Sequence, residues 1–263
     1  MKLACVGDCC IDYYDESGKG FPGGNAVNTA VYFRRLGGEA SYTGPVGQDS
    51  YGEQLRAALL EKGVDISHLK TVPGKTAVTH VKIQNGNRVF GAYEEGVMAD
   101  FRPSAEDVDF LCSHDLAAAV LWGHAEDALK EIHARGVPVS YDASDTPFHE
   151  TALSAAPYTT LFFFSDDKSD TEGLKEKMKT IFRLGPSAVI ATRGNKGSLA
   201  FDGTGFEACE APDVPVVDTL GAGDSYIAGF LKSWLEKKPL KACMEEGTRN
   251  AAITIGYTGA WQQ

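Results

Sequence analysis

Apolar positions along the chain recur in two alternating rhythms. Short β-branched or apolar runs such as "KLACVGDC" and "ASYTGPVG" are interleaved with "NAVNTAVYFRRLG" and "SYGEQLRAALLEKG", whose apolar residues return every three to four positions. The first kind predicts buried strands. The second predicts amphipathic helices, each closing on a glycine, Gly37 or Gly63, able to take left-handed backbone. The rhythm resumes after residue 104 with helix "SAEDVDFLCSH", strand "LAAAVLWG", helix "EDALKEIHARG", strands "VPVSYDA" and "TTLFFFS", helix "TEGLKEKMKTIFRLG" and strand "SAVIATRG". Such alternation predicts an α/β fold in which helices cover both faces of a mostly parallel sheet.

One segment breaks the rhythm. "TAVTHVKIQNGNRVFGAYEEG", residues 76–96, holds two strand-like runs around Asn85 and Gly86, a pair suited to a hairpin turn. It is expected to stand off the main sheet as a small β lid, joined by "YYDESGKGFPGG", so that the lid segments are about 12–22 and 76–98. No Ser- or Pro-rich linker and no internal repeat divides residues 1–263, which predicts one domain.

Composition narrows the partners. The net charge of -11 opposes nucleic acid and anionic membranes, so a small anionic ligand needs a local positive field. The N-terminus meets acidic residues too early for a secretory signal, and no stretch approaches ~18 uninterrupted apolar residues. A soluble, cytoplasmic protein is expected. Of six cysteines, Cys5, Cys9 and Cys10 crowd the first strand and Cys112, Cys209 and Cys243 are scattered, a spacing that fits neither zinc ligands nor a disulfide framework. Reduced, mostly buried thiols are expected, with a redox role for Cys9 and Cys10 as the alternative.

The chemistry concentrates in "VVDTLGAGDSYIAGF", residues 216–230. A β-branched run ending at Val217 predicts a strand, the glycines a tight turn, and Ile227, Phe230 and Leu231 a helix. In open α/β sheets ligands collect beyond the carboxyl ends of strands, where helix N-termini expose backbone N–H groups. Gly221, Ala222 and Gly223 would then form an anion hole. Asp224, beside it, is placed to take a proton from a hydroxyl attacking phosphorus. The same residues also suit an ordinary capped helix start.

"DTLGAGDSYIAGF" resembles the C-terminal signature of the ribokinase-like (PfkB) carbohydrate kinases, and "PGGNAVNTAVYFRRLGGEASYTGPVGQDSYG" resembles their N-terminal one. The resemblance implies the ribokinase-like fold, ATP and Mg2+ as cofactors, and a sugar as acceptor. It makes Asp224 the base, Gly221, Ala222 and Gly223 the hole for the migrating phosphoryl group, and Asp12, Gly23, Gly24 and Asn28 the sugar-facing residues. A carboxylate, an amide and paired glycines suit the paired donors and acceptors of sugar hydroxyls. On the nucleotide side "ATRGNKGSLAFDG" resembles the phosphate-contacting turn, implying Thr192, Gly194 and Gly197, with Arg193 or Lys196 as charge partners. "EGTRNAAITIGYTGA" resembles the adenine-flanking helix and loop, implying Asn250. Asp218 occupies a position that in some relatives helps hold a monovalent cation. There is no Walker A spacing and no GxGxxG opening a first βαβ unit.

One place departs from the family. Its Asn-x-x-Glu motif, which organises magnesium waters, reads "SDDKSD" here, with Ser165 and Lys168 at the nominal positions and Asp166, Asp167 or Asp170 as substitutes acting through water. "RVFGAYEEGVMADF" and "LWGHAEDA" are similar to the branch that phosphorylates fructoselysine, an Amadori sugar on lysine. That implies transfer of the ATP γ-phosphoryl group to the 6-hydroxyl of fructoselysine or a related fructosamine. Glu94 and Glu95 would meet the substrate's cationic nitrogens, and Arg88 or His124 its hydroxyl or carboxylate oxygens. These charged residues also read as a solvated face, and Trp122 as core or pocket wall. The alternatives are a kinase for glucoselysine, ribose or a keto-sugar acid, and a sensor without turnover. Exposed lid strands offer a surface for a homodimer.

Overall fold

The computed structural model describes residues 1–84 and 87–261, with residues 83, 84 and 87–90 described by backbone alone. The Asn85–Gly86 turn and the Arg88 side chain lie outside the described residues. Nine strands form the main sheet. In spatial order they are β13 (Phe206–Cys209), β12 (Ser198–Phe201), β11 (Ala188–Thr192), β10 (Leu161–Ser165), β9 (Val139–Asp142), β8 (Leu116–Val120), β1 (Lys2–Val6), β4 (Glu39–Gly47) and β5 (Asp65–Val72). The seven strands from β11 to β5 run parallel, and β12 and β13 return antiparallel.

Successive residues of a strand face opposite sides, and the core divides accordingly. Leu3, Cys5 and Phe163 join residues of α1 (Asn25–Arg35), α2 (Ser50–Glu61), α7 (Ala222–Leu235) and α8 (Leu240–Thr254) in one layer. Ala4, Val6, Phe162 and Phe164 join α3 (Ala105–Leu111), α4 (Glu126–Ala134), α5 (Glu150–Ala155) and α6 (Thr171–Phe182) in the other. Gly37 and Gly63 follow α1 and α2 with φ of 80° and 73°, as helix-closing glycines should.

A second sheet of four strands stands apart from the first, in the order β3 (Lys19–Gly23), β2 (Cys10–Tyr14), β6 (Ala77–Gln84), β7 (Asn87–Glu94). It gathers the two segments that break the sequence rhythm. β2 pairs parallel with β6, while β2–β3 and β6–β7 are antiparallel.

The β-branched run before the glycine turn is a correction. Val216 and Val217 are each 60% exposed and belong to no strand. Pro212 and Pro215 remove donors a ladder would need, and the amides of Val217 and Asp218 instead both donate to the Ile255 carbonyl, at 2.8 and 3.2 Å. The segment leans on the end of α8. Three elements escaped the sequence reading: β5, an edge strand with only Leu69 buried, the short edge strand β13, and the six-residue α5.

Candidate active site

β1, β9, β10 and β11 all end at the same side of the sheet, and the N-terminus of α7 arrives there through Gly221, whose φ is 73°. A Cβ at Gly221 would collide with the Tyr32 hydroxyl, so packing requires this glycine. Gly223 differs. Among the described residues nothing lies within 4 Å of where its Cβ would be, so their packing gives no reason for glycine, whereas a ligand approaching the backbone would.

Asp224 is buried in the first turn of α7. The Asn28 Nδ2 donates to its Oδ2 at 2.8 Å, and the Trp261 indole Nε1 donates to Asn28 Oδ1 at 2.7 Å. Because an indole N–H only donates, the Asn28 amide is fixed with its NH2 toward Asp224. Burial pushes the Asp224 carboxyl well above the usual carboxylate range; Asp142, Asp8 and Asp12 push further, and the Asn28 bond opposes them. A carboxylate made more basic in this way is a better proton acceptor.

A cavity of about 550 Å³ opens over Asp224. Asp12, Gly24, Asn28, Gly221, Ala222 and Gly223 line it. Gly23 sits beneath Asp12, where any Cβ would strike the carboxylate. Trp122, 43% exposed, is a wall of the cavity and not core. Other lining residues were not singled out from sequence: Asp8, Asn25, Thr79, Tyr93 and Asp142; Cys10, read there only as a redox candidate, lines it too. Asp8 follows β1 and Asp142 ends β9, and their position beyond strand carboxyl ends was the available signal. Burial and the neighbouring Asp8 raise the Cys9 and Cys10 thiols well above their usual range, against a redox pair.

Three expected acceptor residues, Glu94, Glu95 and His124, lie elsewhere. Strand alternation turns Tyr93 to the cavity and Glu94 away from it, where His80 Nε2 stands 3.5 Å from its carboxylate. His124, in left-handed backbone at φ 52°, pairs with Glu95 at 3.8 Å and lines a neighbouring depression with Arg102 and Glu126.

A second cavity of about 1060 Å³ adjoins the first and shares with it Asp145, Ser165, Thr192, Thr219, Ala222 and Gly223. Thr192, Gly194 and Gly197 line it together with Lys168, Lys177, Val214, Val216, Ala251, Ala252 and Ile255. The exposure of Val216 is thereby explained: it is pocket wall. Asn250 is not part of this cavity. Residues 248, 251, 252 and 255 form the cavity face of α8, whereas Asn250 points to the opposite side, donating to the Ser225 carbonyl at 2.6 Å and accepting from Arg35 Nη2 at 2.5 Å.

In the "SDDKSD" stretch, Asp166 accepts from Lys177 Nζ at 2.7 Å and from Ser169. Burial works against its ionisation, but Lys177 and Ser169 hold the carboxyl well below its usual range. Asp170 caps α6 through Gly173 N. Asp167 and Asp145 remain facing the second cavity. Among the described residues no group of three or more His, Cys, Asp or Glu side chains is arranged to hold a metal. The Asp218 carboxylate accepts amides from Leu220 at 2.9 Å and Gly259 at 2.6 Å.

Two adjoining cavities, one acidic and one with an apolar slot and lysines, meet at a glycine-rich helix start. The chain belongs to the pfkB family of carbohydrate kinases, whose model matches residues 1–262. It is 46% identical to a fructoselysine 6-kinase of Shigella flexneri over 262 residues, covering 98% of this chain and 99% of that protein. It is 33% identical to a fructosamine kinase of Bacillus subtilis (strain 168), over 99% of this chain and 93% of that one. The Arabidopsis thaliana ribokinase complexed with ribose and ATP shares the fold with a TM-score of 0.82 at 19% identity, over 98% of this chain and 93% of that one.

Proposed function

We propose that this kinase transfers the γ-phosphoryl group of ATP to the 6-hydroxyl of fructoselysine or a closely related fructosamine. The observation that carries the chemistry is the position of Asp224, buried at the boundary of the two cavities, beside the amides that open α7. Asp12 and Asn28 hold sugar hydroxyls. Asp224 accepts the proton of the attacking hydroxyl, and the N–H groups of Gly221 and Gly223 with the helix dipole stabilise the charge on the phosphoryl oxygens, the Ala222 amide already donating to the Thr219 carbonyl at 3.2 Å. The acceptor identity rests on similarity over the full length to the fructoselysine and fructosamine kinases.

The nucleotide lies in the larger cavity. Val214, Val216, Ala251 and Ile255 form an apolar slot for its base, and Thr192, Gly194 and Gly197 lie toward its phosphates. Oxygen donors, the Asp145 carboxylate and Ser165 hydroxyl at the junction and the Asp167 carboxylate in the larger cavity, fit Mg2+, which needs few protein ligands. Bound there, Mg2+ would neutralise charge on the β- and γ-phosphates. A monovalent cation at Asp218 would share a carboxylate already accepting two amides. A reducing, cytoplasmic setting suits six free cysteines, five of them buried; no described helix is long and apolar enough to cross a membrane. Pairing of two copies through the small sheet, whose edges are β3 and β7, belongs to the same proposal, and light scattering tests it.

ADP release with MgATP against fructoselysine, glucoselysine, fructose and ribose tests the reading, with Asp224→Asn alongside. Turnover should be strongest with fructoselysine and fall at least about 1,000-fold in the variant. Equal turnover of ribose would remove the proposed acceptor, and silence on all four from folded protein would favour a sensor.

A further inference from the structure

The acceptor cavity carries more negative charge than a neutral sugar uses. Asp8, Asp12, Asp142, Asp145 and Asp224 line it, with no Lys, Arg or His among its described lining residues. Asp224 and Asp12 have tasks in the proposed transfer, and Asp145 lies at the junction with the nucleotide cavity. Asp8 and Asp142 form a separate pair bridged by one residue. The Asn25 backbone N–H donates to Asp8 Oδ2 at 3.0 Å, and its side-chain amide donates to Asp142 Oδ2 at 3.4 Å.

Among the described residues, the other groups bonded to the pair are also neutral. The Tyr93 hydroxyl donates to Asp8 Oδ1 at 3.3 Å, and the Ser144 amide to Asp142 Oδ1 at 3.0 Å. His124 lies near enough to act on Asp8 at longer range, but its ring faces Glu95 and a different depression. Two carboxylates are thus held close to a common residue, one of them 5% exposed, with no bonded countercharge among the described residues. Burial raises both from their usual range, Asp142 to about 6, which is the cost of that arrangement. A cation arriving with the substrate would offset it.

We infer that Asp8 and Asp142 form the subsite for the substrate's secondary ammonium, the nitrogen that distinguishes a fructosamine from a neutral ketose. This rests on the reading of the chain as a fructosamine kinase. A protonated secondary amine has two N–H donors, and the pair offers one carboxylate to each. Fructose, with a hydroxyl in place of the nitrogen, leaves both acids without a countercharge. Selectivity then comes from the penalty on fructose, which leaves buried charge unpaired, as much as from the ion pairs that the ammonium forms.

The test is the ratio of kcat/KM for fructoselysine to that for fructose, in the wild type, Asp8→Asn and Asp142→Asn. Each variant should lower this ratio by about 30-fold or more, whatever loss the two substrates share, with the selective part in KM. An N-acetylated fructoselysine, whose nitrogen carries no charge, probes the wild-type protein without depending on how a variant folds; it should lose a similar factor. A ratio unchanged within about threefold in both variants, or an acetylated substrate used as well as the amine, would overturn the inference. Wild-type enzyme that ignores fructoselysine and phosphorylates another sugar would instead overturn the reading beneath it.

Discussion

At the scale of single residues, Asp224, the proposed base, is oriented by contacts that sequence order hides. Residues 28, 224 and 261 come from α1, α7 and the segment after α8, yet they form one directional chain from indole to amide to carboxylate. Asp224 was legible because a glycine-rich turn announces itself locally, and Asn28 because it belongs to a recognisable signature. Trp261 gave no signal, since its task exists only once the three segments meet. Trp261→Phe keeps most of the volume and removes the donor, freeing the Asn28 amide to turn its oxygen toward Asp224. The expected result is a fall in kcat of about tenfold with KM for ATP unchanged, read from steady-state kinetics. Asn28→Asp, which sets a carboxylate against Asp224, should cost more than that.

At the scale of elements, the two faces of α8 show why one nucleotide-side expectation failed. The resemblance pointed to this helix, and the helix does wall the larger cavity, but with residues 248, 251, 252 and 255. Asn250, 1% exposed, instead joins α8 to α7 and Arg35. Asn250→Ala should therefore cost about 2 kcal/mol of stability by leaving buried partners unsatisfied, with KM for ATP little changed; urea unfolding and kinetics separate the two readings. The parallel strands were legible because both faces are apolar. β5 was not, because an edge strand with one covered face carries few hydrophobic residues. Its anchor to α3 is polar: Asp107 accepts from His68 and Lys70 of β5 and completes a capping box with Ser104. Burial opposes ionisation of Asp107, but Lys70, His68 and Ser104 outweigh it and lower the carboxyl to about 2. A depressed folded-state value stabilises the protein above the unfolded value, near 3.9, and that contribution disappears as pH falls toward 2. The Tm gap between wild type and Asp107→Asn should thus be full at pH 6 and narrow below pH 4.

At the scale of the whole molecule, the two cavities draw on different parts of the chain. Among the described residues the larger is lined only by those between Asp145 and Ile255, whereas the proposed acceptor cavity also takes Cys10, Asp12, Thr79, Gly91 and Tyr93 from the small sheet. The small sheet is tied to the body at Asp49, the N-cap of α2. Its carboxylate accepts the Thr76 hydroxyl at 2.6 Å, the Thr76 amide at 2.8 Å and the Gly52 amide at 2.8 Å, immediately before β6 begins. The "VGQDSYG" stretch thereby acquires a reason: a Cβ at Gly47 would strike the Thr76 backbone, and one at Gly52 the Gly47 carbonyl. Loss of this tie should act on one substrate and not the other. Asp49→Ala removes a helix cap worth about 1 kcal/mol and loosens β6, which carries Thr79 into the acceptor cavity. KM for the sugar should rise about five- to tenfold while KM for ATP stays within twofold, and amide exchange should quicken in residues 76–81. Equal increases in both KM values would mean that the tie stabilises the whole body, leaving the small sheet without a separate role in closing over the acceptor.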